Sequence, residues 1–306
     1  MYHGKNSLVM VILLAMFTMG TTVQAGDTTI TGWKKSLVVD FIVTQTAYSD
    51  SWVGGEVGAI NWVSNLNGSA EKQLKDWLNF KSRLKLSFGQ TMTQTTDIID
   101  QTRHWSKPQK STDLIDWENV ARFTMHKFVD PYAAVRLESQ FLDASVEAKK
   151  RYLTPIKLTE SAGIARQFHQ REKDEVLSRL GLALRQIIKR EIIIDPTTLF
   201  TTDSTYIYGG IESVTDITFA FNERLLYTGK LSLYKALFFS EKDKVKGTDD
   251  EDEWKAIDVN WENIITASIS KIVTVNLYTQ FLYDKEVERQ GRLKETIGIG
   301  FIFKMI

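Results

Sequence analysis

Histidines and carboxylates are the residues of this sequence whose types could support catalysis or metal binding. Four histidines occur, His3, His104, His126 and His169, and the chain has no cysteine. A serine hydrolase needs a Ser–His pair in contact, and no Gly-x-Ser-x-Gly turn surrounds a candidate serine. Scattered histidines without cysteine also lack the ligand spacing of a zinc site. We expect no catalytic residue, no metal and no cofactor, and keep an enzyme acting on envelope lipid as the alternative.

Residues 249–253 form the acidic run Asp-Asp-Glu-Asp-Glu. Carboxylate oxygens are ligands that Ca²⁺ prefers, but the spacing of a calcium-binding loop is absent here. A run of like charges is also typical of a solvated loop. The missing spacing favours the solvated loop, with a cation site as the alternative.

The stretch from Ala256 to Asp284 shows the kind of element that positions the polar side chains. Its first half alternates apolar with polar residues: Val259, Trp261, Ile265 and Ala267 against Asp258, Asn260, Glu262 and Thr266. A period of two indicates a β-strand, because successive side chains point to opposite faces of a sheet. The second half alternates in the same way, and the link near Ser270 is short. The stretch therefore predicts an antiparallel hairpin.

The N-terminal segment and the composition limit the possible classes of protein. Residues 1–25 resemble a secretory signal peptide, with Lys5 before the apolar run 8–19 and small residues before Gly26. That run is shorter than the roughly 20 residues of a membrane-spanning helix. We expect a mature chain of one domain, residues 26–306, with an uncleaved anchor as the alternative. The formal net charge of +0 argues against nucleic acid as a partner.

Twelve segments of the mature chain carry the strand pattern: 36–48, 57–67, 78–88, 115–125, 132–141, 158–168, 179–189, 211–221, 225–239, 259–269, 273–284 and 293–305. Even-numbered connections are short or modest, near residues 67–72, 130, 171–174, 222–224 and 270. Several odd-numbered ones are long: 91–113, 191–206 and 242–253. This asymmetry predicts an all-β fold, a single antiparallel transmembrane β-barrel of about 12 strands with short periplasmic turns and longer extracellular loops.

Alternation alone leaves a soluble barrel or sandwich open, in which the apolar face would point inward. Aromatic residues near strand ends favour a membrane, because Trp and Tyr concentrate at its interfaces. The expected interface aromatics are Trp33, Trp77, Trp117, Trp254, Trp261 and Tyr283. The expected location is the outer membrane of a Gram-negative cell. The expected partners are its lipid, the periplasmic chaperones and the barrel-assembly machinery.

The segment from Phe41 to Gly89 resembles a family of bacterial outer-membrane proteins known as domain of unknown function 3078. The resemblance lies in Thr44-Gln45, Trp52 with Gly54-Gly55, Trp77-Leu78-Asn79 and residues 86–89. The hairpin from Trp261 to Asp284 is similar to the closing hairpin of that family. The resemblance implies an outer-membrane barrel without an established activity, so it supplies no catalytic residue.

Polar faces of the strands carry charges that would point into the lumen: Lys81, Arg83, Lys85, Glu118, Arg122, Arg136, Glu138, Arg179, Arg185, Glu212, Asp216 and Glu262. Such charges form either an electrostatic ladder for an anionic solute or a lumen braced by ion pairs. Acid and base nearly balance, which favours the braced lumen. We expect a narrow pore or a structural envelope protein, with no solute identified.

Two finer expectations follow from this pattern. A turn centred on Asp130 would set Arg122 across from Glu138 on neighbouring strands, which avoids a like-charge pair. Neutralising Arg179 and Arg185 together would release the acids that they hold, and so would increase leak through the lumen.

Overall fold

The computed structural model describes residues 32–46, 48, 57–97, 103–125, 127–146, 149–170, 174–194 and 199–304. The segment expected to be a signal peptide and His126 both lie outside these residues. Within the described ranges, no helix is long and apolar enough to cross a bilayer.

Twelve long strands form the wall of the molecule. They are β1 (Lys34–Thr46), β2 (Ala59–Lys75), β3 (Leu78–Thr96), β4 (Gln109–Arg122), β5 (Asp130–Ser139), β6 (Ile156–Gln170), β7 (Glu175–Ile194), β8 (Leu199–Ala220), β9 (Leu225–Phe239), β10 (Ile257–Ser268), β11 (Val273–Asp284) and β12 (Glu288–Lys304). Each strand pairs antiparallel with the next, and β12 pairs with β1. The sheet therefore closes into a barrel, which confirms the predicted fold class.

The two faces of the wall have opposite chemistry, as β7 illustrates. Leu180, Leu182 and Leu184 are 51%, 70% and 40% exposed, whereas the flanking Arg179 and Arg185, on the other face, are 2% and 8% exposed. An apolar outer surface around a charged interior suits lipid outside and polar groups inside. The barrel is therefore a transmembrane barrel, and the alternative with an apolar interior is wrong.

The turns that lead from an even-numbered strand to the next odd-numbered strand are short, and polar side chains stabilise them. At the β8–β9 turn, Asn222 Oδ1 accepts hydrogen bonds from the backbone N–H groups of Arg224 (2.8 Å) and Leu225 (2.9 Å). At the β10–β11 turn, Ser270 Oγ accepts one from Val273 N–H at 3.0 Å. Such side-chain bonds replace the ladder where the chain reverses. We call this end of the barrel the short-turn end and the opposite end the loop end.

Two of the predicted connections are strand instead. Residues 67–72 belong to β2, whose turn into β3 is Asp76–Trp77. Residues 191–194 and 199–206 belong to β7 and β8, where Ile194 pairs with Leu199 and Glu191 with Thr202. The β-branched residues of these two segments favour β-strand, and the prediction did not take this preference into account. The described residues of the predicted connection are therefore part of the barrel wall.

The predicted register of β4 and β5 is wrong. Arg122 lies across from Tyr132, and Glu118 across from Arg136. Asp130 is not the centre of the turn but the first residue of β5, and its carboxylate accepts the backbone N–H of Met125 at 2.9 Å. The turn is therefore longer than predicted, and the shift places Arg136 opposite an acid.

Alternation along residues 225–239 predicts that Phe239 shares the apolar, outer face with Leu237, and the structure places it on the opposite face. The β8–β9 ladder changes register between Gly209 and Gly210, after which Tyr208 pairs with Phe239. A bulge of this kind reverses the alternation beyond it. Phe239 is therefore 3% exposed inside the barrel instead of on the outer face with Leu237.

Candidate functional site

A group of five charged side chains occupies the middle of the lumen, and we call it the central ion network. It consists of Arg83, Glu118, Arg179, Asp216 and Lys230. Glu118 accepts hydrogen bonds from Arg83 Nη2 at 2.8 Å, Arg179 Nη2 at 2.6 Å and Lys230 Nζ at 3.1 Å. Asp216 accepts a second bond from Arg83 at 2.7 Å. Charge-assisted bonds of this length are the strong ones, so the five side chains hold each other in place.

The central ion network crosses the lumen. Arg83 lies on β3 and Asp216 on β8, five strands away around the closed sheet. Glu118 on β4 and Lys230 on β9 are also five strands apart. Strands that are so far apart face each other across a barrel of this size. The cavity beside the network, lined by Lys81, has a volume of about 20 Å³, which is room for about one water molecule.

A second chain of charges runs along one side of the wall. Arg136 donates Nε to Asp116 at 2.8 Å and Nη2 at 2.9 Å, which is a bidentate contact between two buried side chains. Arg136 also lies 3.1 Å from Glu138, which lies 3.4 Å from Lys157. These four residues alternate in sign, so each buried charge has a compensating neighbour.

Other predicted lumen charges are placed in separate contacts. Lys81 bonds Glu175 at 3.1 Å, and Lys85 bonds Glu262 at 3.1 Å. Arg122 Nη1 donates to the Gln167 side chain at 2.8 Å. The guanidinium of Arg185 bonds Asp258 and stacks on the ring of Tyr234, 3.6 Å from its centroid.

Glu212 differs from the other carboxylates inside the barrel. It is 8% exposed, and no Lys or Arg within the described residues lies within 4.0 Å of its carboxylate. The structure thus brings most of the predicted lumen charges into ion pairs and leaves this one outside them.

The sequence analysis missed Lys230, Asp116, Lys157 and Glu175. Lys230 lies between outward-facing residues of β9, so the alternation rule identifies it as inward-facing. Asp116 precedes Trp117 in the same alternation. Local periodicity was therefore sufficient to find these two residues, although not their partners.

Aromatic side chains fill the loop end of the lumen. Phe239 stacks on Tyr208 with ring centroids 4.5 Å apart and planes at 5°. Trp254, from the loop between β9 and β10, packs on Phe239 at 6.0 Å. Arg289 holds this loop through Glu253 at 2.6 Å. We call Tyr208, Phe239 and Trp254 the mouth cluster.

The predicted interface aromatics lie in several environments. Trp33 and Trp77 are 43% and 50% exposed at the short-turn end. Trp261 and Tyr283 lie on the outward face of β10 and β11, nearer the loop end. Two predictions need correction: Trp254 belongs to the mouth cluster, and Trp117 lies within β4 instead of at its end, where its Nε1 donates to Ser82 Oγ at 3.1 Å.

The acidic run lies in the β9–β10 loop. Asp250 and Glu253 pair with Arg289, and Asp252 pairs with Lys255. Its carboxylates thus bind basic side chains of the loop end. Within the described ranges, no three His, Cys, Asp or Glu residues are grouped to hold a metal ion.

Glu286 lies in the turn between β11 and β12 and links it to the mouth cluster. Its side chain is largely exposed, but its carboxylate accepts the hydroxyl of buried Tyr208 at 2.9 Å. Local burial of this carboxylate is the main cause that raises its pKa, the Tyr208 bond and Arg185 lower it, Asp284 and Asp258 raise it, and the net result is a pKa of about 7. A carboxyl group with a raised pKa binds its proton more tightly in the folded protein than in the unfolded chain.

We expect this group to make the folded barrel less stable at higher pH. Its contribution is complete below the unfolded pKa of 4.5 and is lost as the pH rises through about 7. The apparent melting temperature in detergent should fall across this window, and Glu286→Gln should remove part of the fall. Glu288→Gln, at an exposed neighbouring carboxylate, is the control and should leave the pH profile unchanged. Identical profiles for both variants would contradict the assignment.

Comparison with known proteins gives the following. Residues 43–144 match the model of a family described as a protein of unknown function, DUF3078. This confirms the resemblance over that range, while the hairpin from Trp261 to Asp284 lies outside it. No curated protein matches the sequence significantly.

Solved structures with a similar fold include an outer membrane channel from Pseudomonas putida F1, at 15% identity and a TM-score of 0.39, with 92% of this chain and 99% of that chain covered. Another is the translocator domain of the autotransporter NalP from Neisseria meningitidis, at 5% identity and a TM-score of 0.35, with 88% of each chain covered. A third is the NanC porin, at 8% identity and a TM-score of 0.37, with 88% of this chain and all of that chain covered.

Proposed function

We propose that this protein is an outer-membrane barrel that forms a narrow pore closed at rest by ion pairs. The observation that supports this most directly is the contact between Arg83 and Asp216, which join opposite walls of the lumen at 2.7 Å. Buried charges exclude solutes while they are paired, and they form a polar path when the pairs separate. The mouth cluster adds a second constriction at the loop end.

Electrical recording from refolded protein tests the pore. We expect small and rare conductance steps in planar bilayers, with at most a weak anion preference, because acids and bases alternate along the path. A large and steady conductance would show that the ion pairs do not close the lumen. A complete absence of conductance steps in both the unmodified protein and the Glu118→Gln variant would favour a purely structural envelope protein.

Thiol labelling tests the proposed location and orientation. The chain has no native cysteine, so a single introduced thiol reports one site. Lys244→Cys and Lys107→Cys at the loop end should react with an impermeant maleimide on intact cells, whereas Asn222→Cys at the short-turn end should react only after the outer membrane is broken. The reverse order would invert the barrel, and equal labelling at all three sites would exclude an outer-membrane location.

The proposal includes no catalytic activity. In the described residues, His169 packs against the ring of Phe219 at 6.0 Å, and His104 lies in an exposed short strand. Neither arrangement supplies the Ser–His contact of a lipid hydrolase. The partners in this proposal are outer-membrane lipid, the periplasmic chaperones and the assembly machinery that inserts barrels.

A further inference from the structure

The barrel has one weak seam, where its last strand meets its first. Among the described residues, five pairs join β12 to β1, from Val38–Lys304 to Ile42–Gly300, although β12 has 17 residues. Beyond Ile42, β1 still pairs with β2, and beyond Gly300, β12 still pairs with β11. Among the described residues, nothing pairs with the free edges of these two segments. The wall therefore opens toward the loop end from an apex at Ile42 and Gly300.

This opening is energetically unusual for a membrane barrel. A sheet edge exposed to lipid leaves backbone N–H and C=O groups without partners, and each costs several kcal/mol. An inward-facing residue at this edge is consistent with the opening: Thr44 is exposed although it shares its face with buried Asp40.

On the inner face beside the seam, two apolar side chains lie among polar ones such as buried Asp40, which accepts a hydrogen bond from Asn65 at 2.7 Å. Ile42 pairs with Val63 on the same face of the sheet, and its side chain covers Gly298 and Gly300. A Cβ atom at position 298 would lie only 2.5 Å from Ile42 Cγ2. Glycine at this position therefore leaves room for the Ile42 side chain at the apex of the opening. An alkyl chain that entered through the seam would therefore contact Ile42 and Val63.

Two cations lie on the inward face of β12, nearer the loop end than Gly300. Lys294 Nζ bonds the hydroxyl of Thr112 at 3.0 Å, and Arg292 Nε is buried without a hydrogen-bond partner. Neither side chain has a carboxylate within 4.0 Å among the described residues, in contrast to the paired cations of the central ion network. Lys294 is six residues from Gly300, which is roughly 20 Å along a strand.

We propose that the seam between β12 and β1 is a lateral opening that admits a single-chain amphiphile with an anionic head, such as a long-chain fatty acid, between the lipid and the lumen. The alkyl chain would lie along Ile42 and Val63. The head would bind Arg292 and Lys294, which offer the charged donors that a carboxylate prefers. The proposal rests on the proposed function only for the placement of the barrel in a bilayer.

The state of the seam can be measured with cysteine pairs. Continuing the β12–β1 register would set Thr46 opposite Thr296, whereas Thr266 and Asn276 already pair directly on β10 and β11. In phosphatidylcholine vesicles, Thr266→Cys with Asn276→Cys should form a disulfide rapidly on mild oxidation. Thr46→Cys with Thr296→Cys should form it at least about tenfold more slowly. Equal rates would show that the seam is closed in the membrane and would overturn the proposal.

The ligand can be tested with a fluorophore on Thr44→Cys and stearic acid that carries a nitroxide near the end of its chain. The acid should quench this fluorophore much more strongly than one on Thr228→Cys, which lies in the continuous β8–β9 wall. Its neutral methyl ester and a nitroxide-labelled phosphatidylcholine should quench Thr44 more weakly than the acid. Equal quenching by all three probes would mean ordinary lipid contact and would overturn the anionic ligand.

A charge-removing variant tests the head site. Arg292→Gln with Lys294→Gln should raise the half-saturating concentration of the labelled acid about tenfold or more, which is the loss expected for charge-assisted bonds. Lys34→Gln with Lys35→Gln, on β1 at the short-turn end, is the matched control and should not change it. No change in the first variant would overturn the head site. Quenching without any ion conductance would retain the lateral opening and reject the pore.

Discussion

Replacing Glu118 by Gln should raise the conductance of the barrel several-fold and make it anion-selective. Glu118 is the carboxylate that Arg83, Arg179 and Lys230 share, at 2.6–3.1 Å. Without its charge, three cations face only the single carboxylate of Asp216. Their mutual repulsion should separate the side chains that cross the lumen and leave a positive path. Planar-bilayer recording in a salt gradient measures both the step size and the reversal potential.

Glu212→Gln is the matched control for this experiment. Glu212 is a buried carboxylate on the same inner wall, but no cation within the described residues lies within ion-pair distance of it. Its neutralisation removes one negative charge without releasing a cation, so the conductance should change little. Equal effects of the two variants would show that the net charge of the lumen, and not the central ion network, controls the current.

Neutralising Arg179 and Arg185 together should also raise the leak, but with the opposite selectivity. Arg179 is one of the three cations that bond Glu118, and Arg185 bonds Asp258, so this change leaves Asp258 without its partner and Glu118 with two cations instead of three. We therefore expect cation preference in this double variant. The contrary outcome is a strong anion selectivity in the unmodified protein that is lost in the double variant. That outcome would support the electrostatic ladder instead of the braced lumen.

Arg136→Leu should lower the free energy of unfolding by about 3–5 kcal/mol, because it leaves buried Asp116 without its bidentate partner. Denaturant unfolding of the barrel in lipid vesicles measures this loss. Arg190→Leu is the control, since Arg190 and Asp203 form an exposed pair at 3.0 Å. Such pairs contribute about 0–1 kcal/mol.

A double variant separates the cost of the unpaired charge from that of lost packing. Arg136→Leu with Asp116→Leu should recover part of the stability lost in Arg136→Leu, because replacing both partners of a buried ion pair by apolar residues is often tolerated. Losses that simply add would contradict a direct coupling between these two residues. A loss below about 1 kcal/mol in the single variant would show that the pair is effectively exposed to water.

The sequence by itself determined most of the strands and which of their faces points toward the lipid. Alternation along β3 and β7 places Arg83 and Arg179 on one face and leucines on the other, and this pattern is local to each strand. The same rule failed at Phe239, because the bulge between Gly209 and Gly210 reverses the faces and leaves no local signal in the alternation. Register failed between β4 and β5, because it depends on the length of a turn.

Only the tertiary structure decided which charges meet and where the wall is weak. Arg83 and Asp216 are far apart in the sequence, and they bond because the closed ring brings β3 opposite β8. Side-chain periodicity fixes which way a residue points, whereas a partner across the lumen depends on the number of strands and their stagger. The short ladder between β12 and β1 has the same origin, since the closing register of a barrel is set by the stagger that all the other strands accumulate.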